Sequence, residues 1–94
     1  MRRARRVDSN QAAIVALLRA LGCVVEVTSD VGRGFPDLVV KTKRGRVLLI
    51  EVKDGSKPPS ARKLTADEHA LSRRWVGHFA IVATDEDARW VAAL

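Results

Sequence analysis

The sequence predicts an α/β fold in the element order αβββαβα, on three observations. Residues 9–21 carry Ile14, Val15, Leu17, Leu18 and Leu21 at helical spacing. Residues 23–53 break into β-branched runs separated by glycine-bearing turns. Thr65 and Glu68 have the spacing of a helix-opening capping box, and a further apolar run follows. Ninety-four residues leave room for one domain over residues 1–94, with residues 1–7 as a basic N-terminal arm. A mixed central sheet flanked by helices, with a short C-terminal helix, is the architecture expected.

The first helix, residues 9–21, has Asp8, Ser9 or Asn10 as its cap and Gly22 as its stop. Residues 23–27 alternate as a strand, and residues 29–34 form a loop with two glycines. Pro36 lacks a backbone donor, so it belongs at the first residue or the edge of the strand continuing through Leu38, Val39 and Val40. Lys43, Arg44 and Gly45 then form a three-residue hairpin loop with glycine at its left-handed position. With Thr42 and Arg46 flanking that loop, Val39 lies opposite Leu49 and Asp37 opposite Glu51.

Residues 54–63, with Gly55, Pro58, Pro59 and the bases Lys57, Arg62 and Lys63, are expected to form neither helix nor strand. The helix opened by Thr65 and Glu68 runs through Leu71 and Trp75 and ends at Gly77. Residues 79–83 make the last strand. Thr84, ahead of Asp85, Glu86 and Asp87, caps a final helix that packs through Trp90, Val91 and Leu94. Trp75 and Trp90 are expected in the core or at a dimer contact rather than stacked on bases.

Charge narrows the function. Seventeen basic against eleven acidic side chains give +6, and twelve of the seventeen are arginine, whose planar fork suits phosphate oxygens. Residues 1–84 carry sixteen basic and eight acidic groups, +8, and residues 85–94 carry one and three, −2. Nucleic acid is the partner this balance favours. No uncharged run, residues 9–18 included, exceeds ten residues, about half of a membrane span, so no membrane association and a cytoplasmic location are expected. The single cysteine, Cys23, can form neither an internal disulfide nor a cysteine zinc site and is expected to be buried. His69 and His78 lack the spacing of a helical metal pair.

The chemistry converges on one strand face. Glu51 and Lys53 point to one side of their strand while Ile50 and Val52 point to the other, and the hairpin register adds Asp37 beside Glu51. Two facing carboxylates repel, a cost that a divalent cation would offset by oxygen coordination. Magnesium needs only one or two carboxylates and keeps several waters, one of which can serve as the nucleophile for a phosphodiester. Lys53 would offset charge developing on the phosphorus oxygens. Taken by itself, Glu51-x-Lys53 describes a solvated strand face better than it describes a site.

Pro36-Asp37, with thirteen residues between Asp37 and the Glu51-Val52-Lys53 triplet, resembles the PD-(D/E)XK nuclease motif, and the αβββαβ order resembles that superfamily's restriction-endonuclease-like core. Gly34-Phe35-Pro36-Asp37, Ile50-Glu51-Val52-Lys53 and Leu64-Thr65 further resemble the signatures of the virus-type replication-repair nuclease family, VRR-NUC, in the small free-standing form typical of phages. The resemblance spans residues 8–83. It implies an endonuclease dependent on Mg2+ or Mn2+, in which Asp37, Glu51 and the Val52 carbonyl bind metal and Lys53 assists catalysis. It also implies a homodimer acting on branched DNA such as Holliday junctions, with no organic cofactor.

Family members commonly carry a glutamate in the first helix. Here Gln11 takes that position, with Asp8 the second choice, and a neutral amide binds metal more weakly than a carboxylate. Glu68 falls where a glutamine is frequent, and its capping role accounts for it. DNA contacts are expected from Arg33, Lys57, Arg62 and Lys63 and from the arm residues Arg2, Arg3, Arg5 and Arg6. The alternative from another class is a non-catalytic nucleic-acid-binding module on the same fold, with an RNA-binding accessory protein as a third reading.

Overall fold

Residues 8–94 are described by the structure, a computed structural model, so the expected contacts of Arg2, Arg3, Arg5 and Arg6 lie outside the described residues. The elements run α1 (Gln11–Ala20), β1 (Val24–Val27), β2 (Leu38–Lys41), β3 (Val47–Val52), α2 (Ala66–Arg74), β4 (Phe79–Val82) and α3 (Asp85–Ala92). They form a four-stranded sheet in the order β1-β2-β3-β4, antiparallel across the first two pairs and parallel between β3 and β4. The parallel pair needs a crossover, and α2 lies within it. Among the described residues no helix is long and apolar enough to cross a membrane.

The β2–β3 register is the expected one: Leu38 faces Ile50, Val39 faces Leu49 and Lys41 faces Val47. Gly45 fixes it, at φ +88° with its N–H bonded to the Thr42 carbonyl at 2.9 Å. Leu48, Ile50 and Val52 point to one face, where Val25, Leu38, Val40 and Val82 join Ile14 and Leu18 of α1 and Ala88 and Val91 of α3 in the core. Cys23 is buried beside them, and that burial pushes its thiol up from its ordinary value.

Both later helices open on complete capping boxes, Thr65 with Glu68 and Thr84 with Asp87. The first helix departs from expectation. Asn10 occupies its N-cap position but makes no side-chain cap bond, and its amide reaches across to the sheet instead. The loop expected to lack helix contains one 3₁₀ turn, Pro59–Ala61, because the fixed φ of Pro59 suits the first position of a helical turn.

Neither tryptophan lies in the core, which removes the core half of the expectation and leaves the dimer contact as its other half. Trp90 is 63% exposed: α3 buries Ala88 and Val91, three apart, and Trp90 stands about 100° around the helix from Val91. Trp75 is 46% exposed, because α2 ends at Arg74 and the non-helical backbone of Trp75 turns it off the Glu68–Leu71 stripe.

Candidate active site

The site begins just before β2 starts. Pro36 offers no N–H, and the segment before β2 is tied instead to Thr28, whose hydroxyl donates to the Pro36 carbonyl at 2.8 Å and whose N–H donates to the Asp37 carbonyl at 2.7 Å. Regular pairing with β3 stops at Leu38 and Ile50, one step before Asp37 and Glu51 would meet. The Val52 N–H, left without a ladder partner on that side, donates to Asp37 Oδ2 at 2.9 Å. Asp37 therefore closes the end of the sheet with the same carboxylate that faces Glu51.

Asp37 is 5% exposed and Glu51 is 3% exposed. Burial, followed by the neighbouring Asp37 carboxylate and then Glu68, pushes Glu51 up to about 9. Glu51 therefore holds a proton at neutral pH when no cation is present. Its Oε2 lies 3.8 Å from the Lys53 ammonium, and its Oε1 is buried with no hydrogen-bond partner. The ammonium sits closer, at 3.0 Å, to Oε1 of Glu68. Burial alone would raise Glu68, but the Thr65 N–H and the Lys53 ammonium outweigh it and hold this carboxyl below its ordinary value. The cluster thus contains one protonated and one ionised glutamate with a lysine between them.

The N-terminus of α1 supports the other side. Asn10 Nδ2 donates to the carbonyls of Lys53 at 3.0 Å and Ala83 at 3.2 Å, clamping the ends of β3 and β4. Gln11 is buried, and its Nε2 bonds Ser29 Oγ at 2.7 Å in the segment next to Thr28. Asp8, the second choice, is half-buried, and its backbone carbonyl accepts from the Gln11 N–H.

Asn10 Oδ1, Gln11 Oε1 and Glu51 Oε1 are each buried with no hydrogen-bond donor, and each is a hard oxygen of the kind that magnesium takes. Among the described residues no group of three or more His, Cys, Asp or Glu is disposed to hold a metal. Carboxylate ligation would therefore rest on Asp37 and Glu51, within the one or two carboxylates that magnesium requires. The donor chemistry fits that ion.

Of the expected nucleic-acid contacts, Arg33, Lys57 and Lys63 are exposed. Arg33 holds φ +56°, the one non-glycine residue with positive φ among those described. Arg62 is half-buried, with its Nε buried and unpartnered. Sequence reasoning missed the reach of Glu68 to Lys53, the clamp by Asn10 and the bond from Gln11 to Ser29. The family position of Glu68 was the available signal for the first, and nothing in the pattern marked Ser29.

No family model and no curated protein matches the chain. A solved structure described as a VRR_NUC domain does match, at 26% sequence identity and a TM-score of 0.60, covering 92% of this chain and 97% of that one. The mixed sheet with flanking helices agrees with that match. Fold, motif and comparison agree: the chain has the fold of a VRR_NUC domain and is similar to that nuclease domain over 92% of its length.

Proposed function

We propose that the protein is an Mg2+- or Mn2+-dependent DNA endonuclease that cuts phosphodiesters in branched DNA as a homodimer inside the cell. The observation that carries this reading is the buried pairing of Asp37 and Glu51 beside Lys53, with one Glu51 oxygen left without a partner. Two carboxylates at such close quarters contribute nothing to packing, and their cost makes sense in a cation site.

Asp37, Glu51 and the Val52 carbonyl would hold the cation, with Gln11 Oε1 as a neutral oxygen from α1. When bound, the ion would supply Lewis-acid polarisation of the phosphodiester and an activated water. The chain's own residues do the remainder. Asp37 is oriented by the Val52 N–H, and Glu51 is oriented by the strand that carries it. Lys53 places a positive charge beside them for the charge that grows on the phosphorus oxygens, where a preorganised donor acts most strongly. Arg33, Lys57, Arg62 and Lys63, with the N-terminal arginines, would grip the DNA backbone. One domain carries one such cluster, so paired cuts on a branched DNA need a second copy related by a two-fold axis.

The test is cleavage of labelled four-way junction, duplex and single-stranded DNA in magnesium, manganese or EDTA, with the mass of the free protein measured by light scattering. Junction cutting that needs the metal, that falls at least ~10³-fold in Asp37→Ala and Lys53→Ala, and that leaves binding intact is the expected result. Metal-independent binding of every substrate without turnover would instead identify a binding module.

A further inference from the structure

The chain contains two capping boxes of the same design, and only one of them reaches beyond its own helix. In α3, Asp87 Oδ2 accepts from the N–H groups of Ala83 and Thr84 at 2.9 and 3.2 Å, and the cap ends there. In α2, Glu68 Oε1 accepts from the Thr65 N–H at 2.9 Å and, with the same atom, from the Lys53 ammonium at 3.0 Å. Glu68 is also buried, unlike Asp87, although a cap needs no burial. A buried carboxylate is costly unless an opposite charge meets it, and Lys53 is that charge.

The anchor beneath Glu68 is rigid. Gly34, at φ +78°, lies so close to the first turn of α2 that an added Cβ would stand 2.5 Å from the Asp67 Cβ and 2.9 Å from the Glu68 nitrogen. The loop leading into Asp37 therefore presses directly on the turn that carries Glu68. Lysine has a flexible four-carbon stem, and without a fixed partner its tip would sample many positions. Here the ammonium lies 3.0 Å from Glu68 and 3.8 Å from Glu51, so Glu68 is its nearer partner.

We propose that Glu68 is the positioning residue of Lys53, holding the ammonium beside the two carboxylates in the orientation that phosphodiester cleavage uses. The assignment rests on the nuclease reading above for its effect on turnover, and on the contact alone for its effect on Lys53. A cap role and a positioning role separate cleanly. Glu68→Gln preserves the shape of the box and removes the charge, Glu68→Ala removes both, and Thr65→Ala removes the hydroxyl of the box and leaves Glu68 in place.

The measurements are kcat and KM on whichever DNA the wild-type protein cuts, the thermal midpoint, and the 15N resonance of the Lys53 ammonium in metal-free protein. Glu68→Gln is expected to lower kcat about 10-fold with KM within about twofold, and Glu68→Ala about 100-fold. Thr65→Ala is expected to lower Tm by about 4–8 °C with kcat within about threefold. The Lys53 resonance should shift in both Glu68 variants and stay in place in Thr65→Ala. Wild-type kcat in both Glu68 variants, or a Thr65→Ala loss as large as that of Glu68→Ala, overturns the proposal. If the wild-type protein cuts no DNA, the nuclease reading fails, and a Lys53 resonance indifferent to Glu68 would still reject the contact independently.

Discussion

Strand β3 presents two unlike faces of one sheet. Toward α1 and α3 it contributes Leu48, Ile50 and Val52 to a closed hydrocarbon core. Toward the other side it contributes Leu49, Glu51 and then Lys53, with Asp37 from the segment just before β2 and Glu68 from α2. That second face is only partly covered, and Val24, Val47 and Ile81 on it remain about half exposed. Yet β3 is buried on both sides from Leu48 to Val52, so exposure does not alternate along it. What differs is the material that is buried. One face stabilises the fold through apolar area. The other buries carboxyl groups at close quarters and relies on the first to keep them together.

The sharpest way to break this comparison is to change the two neighbours Ile50 and Glu51 separately. Ile50 is fully buried, and Ile50→Ala should cost about 2–5 kcal/mol, a large share of the roughly 5–15 kcal/mol a domain possesses. Glu51→Gln should abolish cleavage, by at least ~10³-fold, without a comparable loss of Tm. Acidity exposes the same contrast. Glu51, raised in the fold to about 9 from 4.5, stabilises the cation-free protein fully below 4.5, and that stability is lost as pH rises through about 9. The unfolding free energy in EDTA should therefore fall from pH 5 to pH 9, by up to ~1.4 kcal/mol per pH unit from this group, and the thermal midpoint with it. Glu51→Gln should flatten the profile. Glu68 has the opposite shift, so its contribution is lost only in acid, as pH falls below 4.5. A flat wild-type profile across pH 5–9 would show that the carboxylates are not packed as described.

The apolar face was the more legible one because its information is periodic. Ile14 and Leu18 repeat at helical spacing, and the hairpin register followed from Gly45. Asp37 and Glu51 were legible for the same reason, since their meeting is a consequence of register. Glu68 was read only as a cap, because a local bond with Thr65 accounted for it and its second bond crosses fifteen residues to Lys53. Asn10 was read as a cap that it does not make, because its amide finds two strand carbonyls that no local pattern reveals. Trp75 was lost to a helix end one residue short of it.

Arg33 tests how the open face meets its substrate. An exposed arginine in left-handed backbone between two glycines is strained, and glycine there would be unstrained. Arg33→Gly should therefore gain up to about 1 kcal/mol in stability while weakening DNA binding and reducing its logarithmic salt slope by about 0.9. Arg33→Ala should lose the same DNA contact and keep the strain. Equal salt slopes for wild type and both variants would remove Arg33 from the DNA surface.

The smallest effect should come from a second pair of neighbours with opposite surroundings, on α3. Val91 is 1% exposed in the core, whereas Trp90 is the larger side chain and faces outward. Size alone would rank Trp90 as the more costly residue to lose, since a buried aromatic dominates the energetics of a core. Position reverses that ranking. Trp90→Ser should change stability by no more than about 0.5 kcal/mol, against about 1–3 kcal/mol for Val91→Ala. Chemical denaturation at two protein concentrations checks both. A Trp90→Ser loss above 2 kcal/mol that grows with protein concentration would mean that Trp90 is covered by a second copy, and the outer surface of α3 would then belong to the dimer contact.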